Sequence, residues 1–243
     1  MSISADSHGG SGSGIVIAVD GPSASGKSST SRGAARALGL RYLDTGAMYR
    51  ALAWWLLAHG IPVDDAEAVA RRVGDPVIEV GTDPDRPWVT VDGRDVSAAI
   101  RTREVSGAVS AVARIPQVRA RLIAMQREII ARARAEGRGI VAEGRDIGTV
   151  VAPDAVVKVF LTASEVARAT RRTADLAGDP TATVAATQAA QALRDRMDAG
   201  QMGKAPDAVD VDSTLFSLGD VVEMIAGLAT ARAKLPDTAR TTR

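Results

Sequence analysis

Residues 21 to 28 read Gly21-Pro22-Ser23-Ala24-Ser25-Gly26-Lys27-Ser28, two glycines five apart followed by Lys-Ser. This spacing makes a phosphate cradle: the glycines let the backbone curl so that successive N–H groups point inward, and a following helix N-terminus favours an anion. Lys27 can reach the β- and γ-phosphates of a nucleoside triphosphate, and the Ser28 hydroxyl can ligate Mg²⁺ together with waters. Residues 21–29, through Ser29, are therefore the expected ATP-binding run. Of 30 cationic residues only four are lysines, Lys27, Lys158, Lys204 and Lys234. Lysine inside the loop thus fits a need for a compact point charge rather than a planar fork.

Other residues suggest an anionic ligand. Arg50 falls early in a helix opening at Asp44-Thr45-Gly46, and Arg119 lies in the first turn after Pro116. A cation near a helix N-terminus opposes the dipole by roughly 0.3–1 kcal/mol. Arg168, Arg171 and Arg172 share one helix face and repel each other by a few tenths of a kcal/mol per pair. Bound phosphate would offset both costs; a solvated arginine face is the plainer alternative. Asp44 and Glu143 end strands and could hold Mg²⁺ through water, although Asp44 could equally cap a helix. Arg194 and Asp198 are an i, i+4 pair whose plain reading is a surface salt bridge. Two similar strings differ in context. Asp92-Gly-Arg-Asp95 lies between short strands, where Asp-Gly makes a hairpin turn. Glu143-Gly-Arg-Asp146 follows an apolar strand, at the end of a parallel sheet where α/β proteins bind ligands.

The elements that must position these groups alternate. Strands are predicted at Ile15–Asp20, Arg41–Leu43, Gly139–Glu143, Ala155–Leu161 and Ala208–Val211, with helices at Ser28–Leu38, Thr45–His59, Gln117–Ala135, Ser164–Leu176 and Leu218–Ala231. That is the pattern of a parallel α/β sheet with helices on both faces. Val118, Leu122, Met125 and Ile129 form one buried helix face. Two stretches interrupt the alternation and are candidate mobile elements. Residues 62–115 hold an acidic helix (Asp64–Val73) and a small antiparallel sheet at Val77–Val80, Trp88–Val91 and Asp95–Val96. Residues 164–203 form a charged helix pair around Gly178-Asp179-Pro180. Residues 1–14 read as a disordered leader and 233–243 as a flexible tail.

At 243 residues and 46% hydrophobic, the chain can bury one substantial core. Net charge of +1 and 3% aromatics argue against a nucleic-acid polymer as partner. There is no cysteine, and the two histidines are His8, in the leader, and His59, at a helix end. No thiolate, histidine or zinc chemistry is therefore expected, and no membrane span, since no apolar run approaches ~20 residues. A kinase acting on an alcohol usually wants a base, whereas a nucleotide's own phosphate is already an ionised nucleophile. Transfer to it needs only alignment and charge neutralisation. An arginine-rich, histidine-free site suits that acceptor.

With these residues assembled, the chain resembles the bacterial cytidylate (CMP) kinases of the nucleoside monophosphate kinase group, from about Ile15 to Leu228. The motifs are VDGPSASGKSS, YLDTGAMYRALA, EVSGAVSAVARIPQVRARLIAMQRE, VAEGRDIGTVVAPDAVVKVFLTAS and AVDVDST. The resemblance implies a P-loop NTPase fold of five parallel strands in a single kinase domain over 15–232. Its core would be 15–61, 116–163 and 204–232, its monophosphate-binding insert 62–115 and its lid 164–203. It implies ATP-dependent phosphorylation of CMP and dCMP in pyrimidine metabolism, with Mg²⁺. Thr45, Arg119 and Asp146 match cytosine contacts, with Tyr49 beside them. Ser110, Arg194 and Asp198 match ribose contacts, and Arg50 and Arg145 contacts to the acceptor phosphate. Lys27, Arg50 and Arg145 are the implied catalytic residues. Cytosine's N4 amino group suits a carboxylate such as Asp146, and its N3 and O2 suit Arg119. One departure stands out. After Asp198 the family usually carries a further phosphate-binding arginine; here Gln201 takes that place in a shortened loop, with Lys204 as a substitute cation.

Two rivals remain in view: a kinase for UMP or another small acceptor, and a GTP-binding switch module. The second would carry an Asn-Lys-x-Asp string, absent here. The expected protein is a cytoplasmic monomer acting on ATP and CMP or dCMP.

Overall fold

In chain order the computed structural model runs β1 (Val16–Asp20), α1 (Lys27–Leu38), β2 (Arg41–Asp44), α2 (Thr45–Ala58), α3 (Ala66–Arg72), β3 (Ile78–Val80), β4 (Val89–Val91) and β5 (Arg94–Asp95). There follow α4 (Arg103–Ala113), α5 (Pro116–Ala135), β6 (Ile140–Gly144), β7 (Val157–Thr162), α6 (Glu165–Asp175), α7 (Val184–Asp198), β8 (Val209–Asp212) and α8 (Leu218–Ala233). It describes residues 14–175 and 183–233. The leader, the tail beyond 233 and the Gly178-Asp179-Pro180 turn lie outside the described residues, apart from Gly14 and Ala233 at their edges.

The five long strands form one parallel sheet in the order β2-β6-β1-β7-β8. All five predicted strands form, with ends shifted by one or two residues. Along β1 the side chains alternate between two apolar layers. Val16 and Ala18 join α2 and α5 on one face; Ile17 and Val19 join α1 and α8 on the other. Such two-sided burial is why β1 reads as a continuous apolar run, whereas the edge strand β8, Val209-Asp-Val-Asp212, alternates. On α5, Pro116 opens the helix, and Val118 and Leu122 are fully buried. Met125 and Ile129 pack at the edge of that layer, and Gln126 and Ile130 fill it.

Residues 62–115 contain the expected antiparallel sheet, β3-β4-β5. Asp92 (φ 52) and Gly93 (φ 76) make its hairpin turn between β4 and β5. Asp92 also accepts from Val77 N (2.8 Å) and from the Trp55 indole (3.0 Å), which fastens the hairpin to α2. Helix α4 was not anticipated. Its Val105, Ala108 and Val112 join the same apolar layer as α2. The loop after β3 runs along the free edge of β2: Tyr42 N donates to Thr82 O (2.9 Å), and Arg32 and Arg36 reach Pro84 and Asp85. That loop covers an edge that would otherwise offer unpaired backbone groups. Among the described residues no helix is long and apolar enough to cross a membrane.

Candidate active site

The carboxyl ends of the five strands open into one cleft of about 1100 Å³. The loop after β1 forms one side of it. Gly21 has φ 147, and a Cβ there would sit 2.1 Å from Leu161 O, so only glycine passes β7 at this point. Gly26 (φ 92) caps α1. Between them Ala24 is left-handed (φ 58) without being glycine, a cost of roughly 1–2 kcal/mol. Lys27 is buried, and its Nζ donates to Pro22 O at 2.6 Å, folded across the loop it belongs to. The Ser28 hydroxyl adjoins Tyr42 and Glu143, which are themselves hydrogen-bonded.

The opposite side is built from ion pairs drawn from several elements. Asp44 caps α2, accepting from Ala47 N (2.8 Å), and pairs with Arg50 (3.0 Å). The helix cap offered by the sequence is therefore formed. Arg119, at the start of α5, is bonded to Asp146 at the end of β6. Thr45 Oγ1 donates to Glu143 O (2.6 Å), beside that pair. Tyr49 lies near both Arg119 and Asp146, and burial pushes its hydroxyl up to about 12. Asp198, at the end of α7, accepts from Ser110 (2.7 Å) and Arg145 (3.3 Å), with Arg194 at 3.8 Å. Its side chain is 10% exposed. The Arg194–Asp198 pair is therefore a buried network linking α4, α7 and β6, not a surface bridge.

The electrostatics show which charge is wanted between the two sides. Lys27 is pushed down to about 7, first by burial and then by Arg145, with Arg194 adding to the repulsion. Arg194 falls to about 10 through burial, then through Arg145, with Arg50 and Arg172 contributing. Neighbouring cations thus add to burial in holding Lys27 and Arg194 down, a condition that an anion between them would relieve. Below them the carboxylates are also strained. Burial raises Asp20 to about 6 although Ile147 N and Gly148 N both donate to it at 2.8 Å. Burial, then the Asp44 charge, raises Glu143. Among the described residues no three His, Cys, Asp or Glu side chains gather to hold a metal by themselves. A hydroxyl beside under-compensated carboxylates is nonetheless a hard oxygen set that suits Mg²⁺ when phosphate and water complete the shell.

The cleft brings together Ser23–Ser29, Thr45, Tyr49, Arg50, Ser110, Arg119, Arg145, Asp146, Arg194 and Asp198. The arginine cluster divides. Arg168 is bonded to Asp195 and Ser23 O and stands outside the cleft lining, whereas Arg171, bonded to Ser213, and Arg172 both line the cleft. Likewise Arg50 and Arg119 already have carboxylate partners, which neither the anionic ligand nor the solvated face considered in the sequence supplied. Gln201 lines the cleft, in the short turn Ala199–Gln201 after α7. Lys204 donates instead to Asp210 of β8 (2.5 Å) in an exposed pair and does not line the cleft. The sequence reading missed Asp20, Tyr42, Asp195 and Ser213. Asp20 ends a strand next to the loop, a signal of the kind that singled out Asp44 and Glu143; the other three gave no local one.

The sequence profile of the family described as Cytidylate kinase matches residues 17–231. The Cytidylate kinase of Streptomyces griseus subsp. griseus is 50% identical over 220 residues, 89% of this chain and 93% of that protein. That of Streptomyces coelicolor is 52% identical over 218 residues, 88% of this chain and 92% of that protein. Among solved structures, shikimate kinase from Acinetobacter baumannii in complex with shikimate is similar with a TM-score of 0.45 at 12% identity. That likeness covers 91% of this chain and 96% of the other.

Proposed function

The chain belongs to the cytidylate kinase family, and from that premise we propose how its residues perform the reaction. It is a kinase that phosphorylates CMP at the expense of ATP. The bond from the γ-phosphorus to the β-bridging oxygen breaks, and a bond to a phosphate oxygen of CMP forms. The attacking oxygen is already ionised, so no base is required. The backbone N–H groups of residues 21–29 cradle the triphosphate, and Lys27 unfolds from Pro22 O onto it. Arg50 and Arg145 draw in the acceptor phosphate and carry charge on the equatorial oxygens in transit. Ser28 is the residue that would hold Mg²⁺, with phosphate oxygens and waters; when bound, the ion neutralises charge across the phosphates.

Cytosine is read by the Arg119–Asp146 pair, with Thr45 and Tyr49 lining its pocket. N4 donates to Asp146, while Arg119 meets N3 and O2. Ser110, Arg194 and Asp198 take the ribose hydroxyls, and dCMP, lacking one of them, is a second acceptor. Residues 62–115 serve as the monophosphate-binding insert and 164–203 as the lid, which excludes water that would otherwise hydrolyse ATP. The protein works as a cytoplasmic monomer on free nucleotides, without a nucleic-acid polymer or membrane as partner.

The observation that carries this reading is the convergence of Lys27, Arg145, Arg194 and Arg50 on the cleft between the phosphate loop and the Arg119–Asp146 pair, where burial and the neighbouring cations hold Lys27 and Arg194 below their ordinary values. A coupled assay of ADP release over CMP, dCMP, UMP, AMP and GMP tests it, with CMP and dCMP expected to be the best acceptors. Uracil presents an acceptor at O4 where cytosine presents N4–H₂, so Asp146→Ala should cost CMP more than UMP and narrow the gap. Equal losses for both would mean that Asp146 orients its neighbours and does not read the base.

A further inference from the structure

The phosphate loop is gripped from behind, on both sides of its left-handed residue Ala24. Ser23 N donates to Asp195 Oδ1 (3.3 Å), and Ser23 O accepts from Arg168 Nη1 (3.1 Å). The same Arg168 nitrogen donates to Asp195 Oδ2 at 2.5 Å, which closes a ring around one residue of the loop. The ion pair is largely buried, its side chains 9% and 20% exposed. On the other side of Ala24, Ser25 O accepts from Ser213 Oγ (3.1 Å), and Ser213 is in turn held by Arg171 (2.9 Å). In a trans peptide the C=O and the next N–H point opposite ways. Fixing the Ser23 and Ser25 carbonyls outward therefore aims the Ala24 and Gly26 N–H groups inward, at the place of the phosphates.

We propose that the Arg168–Asp195 ion pair is a positioning device for the phosphate loop. It holds Ala24 in its left-handed conformation and so ties the aim of the loop's N–H groups to the packing of α6 against α7. The pair stands behind the loop and acts through it. Its partners come from two helices, one on either side of residues 176–182, so the loop keeps its binding shape only while those helices stay together. Affinity for ATP and the arrangement of the helix pair are then one linked property. This inference rests on the loop being the donor site, which the Lys27→Ala variant described below tests by itself.

The test is steady-state kinetics on the full chain. In Asp195→Ala the KM for ATP should rise about tenfold, with kcat and the KM for CMP within about twofold of the parent. Adding Ala24→Gly, which adopts a left-handed backbone without strain, should recover most of that loss. The double variant is compared with Ala24→Gly alone, and the KM for ATP of the two should differ by less than about threefold. The proposal is overturned by an unchanged KM for ATP in Asp195→Ala, by equal losses for ATP and CMP, or by the absence of rescue from Ala24→Gly. Should Asp195→Ala melt below the assay temperature, Arg168→Gln with and without Ala24→Gly is read by the same outcomes.

Discussion

Segments 62–115 and 164–203 both interrupt the alternation of strands and helices, and they are fastened to the core by different physics. In the first, Val69, Ile78, Val89, Val91, Val96, Ile100, Val105 and Val112 share one apolar layer with α2 and α5. Apolar contact is non-directional and insensitive to salt, so this segment is part of the core in all but topology. The second is held to the phosphate loop and its surroundings by directed polar links: Ser23–Asp195, Arg168–Ser23, Arg171–Ser213, Ser110–Asp198 and Arg145–Asp198. Such links are remade by a ligand or by water in a way that a filled apolar layer is not. The two segments look alike as interruptions in the sequence, but only 164–203 is attached in a manner that suits repeated opening.

The comparison can be broken most forcefully through the apolar layer. Ile78→Ala removes a buried side chain and should destabilise the whole protein by about 2–5 kcal/mol. Its melting temperature should then fall by roughly 5–15 °C in a single transition. A separate early transition, with the main one unmoved, would show that 62–115 is an independent unit. Next in size is Lys27→Ala, which leaves both segments attached and removes the charge on which they converge. Turnover should drop at least ~100-fold, about 2.7 kcal/mol, with the fold intact by circular dichroism. Near-normal turnover would show that the loop is not the donor site. Raising salt from about 0.05 to 0.5 M should speed amide exchange in 184–198 by roughly tenfold and change it in 89–112 by less than about twofold, because screening weakens only the polar links. Equal responses would erase the distinction. The smallest effect concerns Gln201. A neutral amide stands at the cleft wall where a charge-assisted bond is worth on the order of 1 kcal/mol more. Gln201→Arg should improve kcat/KM for CMP several-fold, while Lys204→Ala, bound to Asp210, should be silent.

What the sequence made legible was whatever is contiguous. The phosphate loop is eight successive residues, and the central strands β1, β6 and β7 are short, mostly apolar runs whose burial on both faces leaves a local mark. Helix α4 left none. Ser106, Gly107, Ser110 and three valines give it weak intrinsic preference, and it forms because its apolar face covers α2. The unanticipated parts of the site share this non-local character. Asp195 reaches Ser23 across 172 positions, and Ser213 reaches Ser25 across 188. Nothing near an Asp or Ser in the chain announces such a partner. The arginines were recognisable as out of place, but their carboxylate partners in the resting protein were not, since Arg119 meets Asp146 only when α5 and β6 are assembled.

The order of the sheet also governs how the protein can be made. Central β1 is flanked by β6 and β7, and β2 pairs only with β6, so no core strand finds its sheet partner before residue 140 has been synthesised. At ribosomal rates that wait is on the order of ten seconds, with the apolar run Val16–Val19 lacking its neighbours throughout. The hairpin of β4 and β5 closes over a few residues and can form meanwhile, as local pairings do. Emergence of β6 then gives β1 and β2 a shared partner at once, and β7 completes the flanks of β1. A chain stalled just short of it would hold its complete phosphate-loop sequence and none of the sheet that gives the loop its shape.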